Sequence, residues 1–397
     1  MRINYNYFAD IYSRRKDPKA GPARALALFE QCLGDGSIRP GQFSLRSAAE
    51  ALVFDRAGKP CGREWVETLR PGSTSRFLEA GGDVVSTAAF SNITGQIVYS
   101  ALMEAYESPA FLWPELCTTV QTEFSGEKIP GISAIGDEAL TVEDGEPYPR
   151  VGVTQRFIET PATVKKGFIV PVTKEAVFFD RTNLVLDRCS KIGESLGLTK
   201  EKAVMNVVTG QTNNFKMNGT AYDTYVTTGG HGIVNSLTNA LLDHTDINEV
   251  MAKFDAMTDW DTGEPITVIP DVLLVPQALV ATAARILSAS EVRFGTSNTS
   301  GHQTLAPNLI PTIVKGQLRV LNNPFVKGAT SSDAYWFIGQ PKKAFRWMQN
   351  WDFATAQQGA NSDADFDRDI VQQYKGSYRG VAAVLDPHYM CNSTGAS

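Results

Sequence analysis

Few residues of this chain are spaced for chemistry, and one pattern is sharper than the rest. Gly193-Glu194-Ser195-Leu196-Gly197 is a formal G-x-S-x-G, the spacing that places a nucleophilic serine on a strained turn between a strand and a helix. Asp271 and His302 follow in the order that an acid and a base would take. A serine hydrolase using Ser195 is therefore one reading. The context opposes it, because the pattern lies inside a helical apolar stripe and not after a strand. Two small residues on a packed helix are the simpler account.

The remaining candidates are weaker. Asn361, Asp363, Asp365, Asp367 and Asp369 alternate acids, and Asp259-Trp260-Asp261-Thr262-Gly263 is a similar fragment. The first run could gather carboxylates around Ca²⁺, but it lacks the glycine of a binding loop. A solvated face or a set of partners for Arg and Lys is the expected role. The four histidines, His231, His244, His302 and His388, show no paired spacing for zinc. No phosphate-binding or dinucleotide fingerprint occurs, so no cofactor or metal is expected. Ser13-Arg14-Arg15-Lys16 is a small basic cluster, either a solvated turn or a contact to enclosed nucleic acid from Arg14, Arg15 and Lys16.

Composition sets the class. The chain has 397 residues, 43% hydrophobic and 20% charged, with a formal net charge of -6. This is globular, with enough length for two or three cores. An acidic balance argues against a dedicated nucleic-acid binder, though not against a wall that only encloses it. Five well-separated cysteines without CxxC spacing read as reduced thiols. No signal peptide or membrane span is apparent, so folding in cytoplasm is expected.

The elements point elsewhere than catalysis. Short helices are predicted at Pro22–Leu33 and Ser44–Val53, then a helix at Asn92–Tyr106 and a strand at Cys117–Phe124. A polar, Gly-rich stretch follows, with a turn at Asp144-Gly145 and a return strand of alternating residues from Val151. Residues 117–166 thus form an extended β-hairpin with too little apolar surface to stand alone. A long helix comes next, with Val185, Cys189, Ile192, Leu196, Ala203 and Val207 on one stripe. At ~1.5 Å per residue it measures roughly 39 Å, and Gly193 and Gly197 predict close packing. Further on, a helix is expected at Asp246–Met257 with Asp246 and Glu249 as a capping box. Asp271–Val275 reads as a strand, Gln277–Leu287 as a helix, and Gly295–Gln303 as a polar loop. Strands are expected at Leu318–Leu321, Ala334–Ile338 and Lys343–Met348, with a strand–turn–strand over Ile370–Leu385, broken at Gly376 and Gly380.

The order of these parts resembles the major capsid proteins of tailed phages, the Hong Kong 97-like fold. The stretches that carry the likeness are Thr141-Val142-Glu143-Asp144-Gly145-Glu146-Pro147-Tyr148-Pro149, Val170-Pro171-Val172-Thr173-Lys174-Glu175 with its long helix, Asp271-Val272-Leu273-Leu274-Val275-Pro276, and the closing Asp367-Arg368-Asp369-Ile370 to Val384-Leu385-Asp386-Pro387. Together they cover about residues 90–390. The resemblance implies an α+β chain with an N-terminal arm (1–116), an extended loop (117–166) and a peripheral domain (167–210 and 321–390) with a spine helix over 183–208. It also implies an axial domain (211–320) and a tail (391–397). By the same resemblance the chain is a non-enzymatic head protein. Pentamers and hexamers would close an icosahedral shell around packaged double-stranded DNA, in a virion assembled in the bacterial cytoplasm, without a membrane. Portal, scaffolding or decoration proteins would be its partners. Glu123, Lys128, Glu143, Asp144, Glu146, Arg150, Arg156, Lys165 and Lys166 would set register between subunits. A protein compartment of the encapsulin kind is the alternative. The Lys–Asn cross-link of some family members has no local motif here.

Overall fold

A computed structural model describes residue 31 and residues 98–130, 141–145, 147, 156–173, 184–228, 233–260, 263–289, 291–295, 303–307, 318–358 and 370–395. Apart from residue 31, the readings of residues 1–90 lie outside these residues, as do His302 and the acidic run 361–369. The chain is mixed α+β.

A helix over 98–106 leads to a single helical turn at Trp113–Leu116. Then come β1 (Thr118–Gln121), β2 (Lys128–Pro130), β3 (Phe157–Glu159) and β4 (Val164–Thr173). The long helix spans Leu184–Val208. It is followed by β5 (Lys216–Met217), β6 (Thr220–Ala221), β7 (Ser236–Leu237), a helix at His244–Asp255 and β8 (Val272–Val275). A helix at Val280–Ser288 precedes β9 (Glu291–Gly295), β10 (Gln303–Pro307) and β11 (Arg319–Asn322). The last part holds a helix at Pro324–Thr330, β12 (Trp336–Gly339), a helical turn at Pro341–Ala344, β13 (Phe345–Gln358), β14 (Ile370–Val384) and β15 (Met390–Ser393).

Packing divides the chain into two units. The first holds Met1–Phe111, Lys165–Thr199 and Trp351–Tyr378. Its described core packs the 98–106 helix on the long helix through Leu102, Tyr106, Cys189 and Leu196, all buried. Gly193 permits this approach: a β-carbon there would strike the Leu102 carbonyl oxygen. At Gly197 it would meet Phe111 and lie 3.0 Å from the Tyr106 carbonyl oxygen. Tyr106 stacks on Phe353 at 5.1 Å, and burial beside Asp352 and Tyr378 raises its phenol pKa.

The second unit holds Leu112–Val164, Lys200–Asn350 and Arg379–Ser397. Its centre is a five-stranded sheet in the order β11-β8-β12-β15-β7. Val272-Leu273-Leu274-Val275 is buried at every position of β8, which lies between β11 (parallel) and β12 (antiparallel), with Leu273 and Val275 in one core with residues of the His244–Asp255 and Val280–Ser288 helices. A continuous apolar run is what a strand covered on both faces requires. Within the same unit β1 pairs with the start of β13, and a further sheet has the order β2-β3-β5-β6.

Three local expectations are corrected. The helix predicted at 246 starts earlier: Asp243 is the N-cap, accepting the Thr245 N–H at 2.8 Å, and Asp246 is the reciprocal partner of the capping box. β14 is continuous across the predicted turn. Gly376 and Gly380 do not break it, because they make room for rings: a β-carbon would lie 2.8 Å from Phe353 Cζ and 2.8 Å from Trp347, respectively. The strand predicted at 343 begins at Phe345, since Pro341 starts a helical turn that takes in Lys342 and Lys343. The polar loop expected at Gly295–Gln303 is bordered by an antiparallel pair, β9 with β10, in register from Gln303↔Gly295 to Pro307↔Glu291, and its residues 296–302 lie outside the described residues.

Candidate functional site

The segment expected to form the extended loop (117–166) is rooted in the second unit at a junction that sequence reasoning missed. Lys200 and Glu201, adjacent on the long helix, are each only 1% exposed. Glu201 accepts the N–H groups of Leu112 (3.2 Å) and Trp113 (2.8 Å) and the side-chain amide of Asn323. Leu112 and Trp113 open the helical turn that leads into the loop, and Leu112 itself caps nothing. The carboxylate thus satisfies donors that a helix start leaves orphaned. Asn323 in turn caps the Pro324–Thr330 helix through the Phe325 N–H at 2.8 Å.

Lys200 lies with its ammonium 3.4 Å from the centre of the Trp113 ring and 4.9 Å from that of Trp347. Aromatic faces replace part of the water that a buried cation has lost. Burial pushes the Glu201 carboxyl up, against the pull of its three donors. Burial also raises the Cys117 thiol, with Glu201 adding to the shift and Lys200 opposing it. The sequence does carry a usable signal. Lys200 and Glu201 fall four residues after Leu196 and Gly197 and four before Val204 and Met205, on the buried stripe. Their charged types argue against that placement.

The rest of the base is stapled by backbone and side-chain bonds. β1 runs parallel to β13, from Thr118↔Arg346 to Gln121↔Gln349. The Asn350 amide donates to the carbonyls of Thr122 (2.9 Å) and Phe124 (3.1 Å). The Glu127 N–H donates to the Thr160 hydroxyl at 2.8 Å, and Arg379 Nε donates to the Thr163 hydroxyl at 2.9 Å. β2 pairs with β3 from Lys128↔Glu159 to Pro130↔Phe157, and β3 pairs with β5 at Ile158↔Met217.

The turn is the opposite environment. Glu143, Asp144 and Gly145 are exposed. Gly145 has φ +92 with no heavy atom near its missing β-carbon, the backbone that an Asp-Gly turn needs. Of the other predicted contact residues, Glu123 is exposed. Lys128 pairs with Glu159 at 3.5 Å and lies over the Phe157 ring at 4.3 Å. Arg156 and Lys166 are half-buried. Lys165 is exposed, 5.8 Å from the Trp351 ring. Glu146, Arg150, Arg14, Arg15 and Lys16 lie outside the described residues.

Ser195 is not on a nucleophile elbow. It sits mid-helix, half-buried, and its carbonyl accepts the Thr199 hydroxyl at 2.7 Å. The flanking glycines are explained by the helix crossing. Among the described residues no three His, Cys, Asp or Glu side chains converge as a metal site, and no helix there is long and apolar enough to cross a membrane.

No curated protein matches the chain. Among solved structures it is similar to the virus-like particle from Pyrococcus furiosus (12% identity over 74% of this chain and 96% of that one, TM-score 0.41). It is similar to Mycobacterium phage Bobi (14%, 70% and 88%, TM-score 0.40) and to the capsid of a native GTA particle (11%, 73% and 91%, TM-score 0.44). The family described as phage capsid protein matches residues 158–392, more than half of the sequence. The match starts in β3 and runs through the long helix and the strands β8 and β12 to β15, so this chain belongs to the phage capsid protein family.

Proposed function

We propose that the chain is the major subunit of a closed icosahedral shell around packaged double-stranded DNA, and that its extended loop joins neighbouring copies. The observation that carries this reading is the contrast along the loop: a base locked into its own chain and a turn, Glu143–Gly145, left in solvent. Heterologous contacts of this kind repeat, and they close when the rotation permits. Residues 211–320 serve as the axial part meeting at five- and six-fold axes. Residues 167–210 and 321–390 form the peripheral part, and residues 1–116 an arm. Glu123, Lys128, Arg156, Lys165 and Lys166 set register at the loop contacts. A net charge of -6 fits a wall that encloses DNA without gripping it. The particle is assembled in the bacterial cytoplasm with portal, scaffolding or decoration proteins.

The test keeps the stapled base and replaces residues 131–156 by a two-residue turn between Pro130 and Phe157. Soluble, folded subunits that form no closed particles in negative-stain images are expected. Normal particles would overturn the role given to the loop.

A further inference from the structure

At the foot of the loop, within the second unit, lies a pocket of about 350 Å³ lined by Thr118, Val120, Lys342, Lys343, Arg346 and Tyr389. Thr118 and Val120 belong to β1, the loop's first strand. The other walls come from the helical turn at Pro341–Ala344, the start of β13 and the residue before β15. Three of the lining residues are cations, and Lys342 and Lys343 are exposed. A fourth cation, Arg319, joins through Glu115, which it meets at 2.9 Å and which Lys342 approaches at 3.7 Å. Those bonds hold the Glu115 carboxyl below the usual carboxylate range.

The local acids do not neutralise this group. Asp271 feels Arg319, Lys342 and Lys343, yet burial keeps its carboxyl raised. Asp386 is engaged by His388 Nδ1 at 2.6 Å. Lys343 lies 4.8 Å from the Tyr389 ring centre, a face that favours a cation without cancelling its charge. Arg319, Lys342, Lys343 and Arg346 thus outnumber Glu115, Asp271 and Asp386, and the pocket keeps a positive excess.

We propose that this pocket receives the acidic turn of a second copy, with Glu143 and Asp144 of one subunit set against Lys342, Lys343 and Arg346 of the next. Both carboxylates are exposed at the loop's turn, and neither lines the pocket of its own chain. No ion pair among the described residues holds either of them. Opposite potentials on the turn and at the foot of one loop give a head-to-tail contact that propagates from copy to copy. The inference names the partner of the loop, and so rests on the function proposed above.

The experiment is charge exchange in the full-length chain, with a cross-link as an independent readout. Lys342→Glu with Lys343→Glu, and separately Glu143→Lys with Asp144→Lys, are each expected to raise the critical assembly concentration by at least about tenfold. Combining all four is expected to bring it back to within about threefold of the original. Circular dichroism melts of unassembled subunits check that each variant folds. In parallel, Asp144→Cys copies mixed with differently tagged Lys343→Cys copies are expected to form a disulfide-linked hetero-dimer under mild oxidation, absent from mixtures carrying only one of the two changes.

Absence of the cross-link together with absence of charge rescue overturns the docking inference while leaving the shell reading intact. A cross-link without closed particles supports the docking and removes the shell reading. If reversal at 342 and 343 leaves assembly unchanged but lowers the nuclease-protected DNA per particle, the pocket faces nucleic acid and the inference fails.

Discussion

The two ends of the loop use the same residue types for opposite purposes. At the junction, Lys200 and Glu201 are buried, each surrounded by fixed partners. At the turn, Glu143 and Asp144 stand in water. A buried charge whose partner is removed leaves an uncompensated group in a poor solvent, so such a site tolerates little change. An exposed charge is screened and contributes little to the fold of its own chain. The junction therefore serves folding, whereas the turn adds little to it, and association is the role proposed for the turn above.

The largest test of that contrast is Glu201→Ala. It leaves the Leu112 and Trp113 N–H groups and the Asn323 amide without their acceptor. A loss of about 3 kcal/mol is expected in thermal unfolding of unassembled subunits. A loss below about 0.5 kcal/mol, the range of an ordinary surface change, would erase the distinction between base and turn.

Gly193→Ala comes next, at about 1–3 kcal/mol, because the added methyl meets the Leu102 backbone carbonyl rather than a movable side-chain tip. That outweighs the gain of roughly 1 kcal/mol in helix propensity. Lys200→Met keeps the packing volume but removes the charge over Trp113 and Trp347. It is expected to cost about 1–2 kcal/mol, with a change in tryptophan fluorescence as the local readout. Gly145→Ala has open space and only the left-handed φ against it. About 1 kcal/mol or less is expected, so unequal effects of the same glycine-to-alanine change would report the two environments directly.

The smallest effect is in the pH dependence. The folded-state pKa of Glu201 is raised, chiefly by burial. Protonation there favours the folded chain, so its contribution is complete below the unfolded value of about 4.3 and fades as pH rises through the folded one. The stability of the original chain relative to Glu201→Gln should therefore fall as pH rises from about 4 toward neutrality. A difference that grows over that interval would mean that the three donors outweigh burial and that the carboxylate is the favoured form.

Much of the framework is legible in the order of residues alone. Periodicity predicts the long helix over 183–208, and it spans Leu184–Val208, because its stripe of apolar residues repeats at helical spacing. The close packing predicted at Gly193 and Gly197 is the crossing with residues 102–111. The Asp144-Gly145 turn follows from backbone chemistry, and Val272–Val275 from an unbroken apolar run. Legibility fails where a residue's role depends on a distant neighbour. Gly376 and Gly380 look like breaks until Phe353 and Trp347 are laid over them. Glu201 looks solvated until Leu112, Trp113 and Asn323 arrive, the last from 122 positions away.

The linear chain, then, determined which segments are helical or extended, where the loop turns and which charges it carries, since these follow from side-chain sterics and periodicity within a few residues. Tertiary structure alone decided that one Lys–Glu pair is entombed at the loop's base while two acids remain at its turn. Burial and electrostatics depend on what folds against a residue, and those neighbours come from far along the sequence.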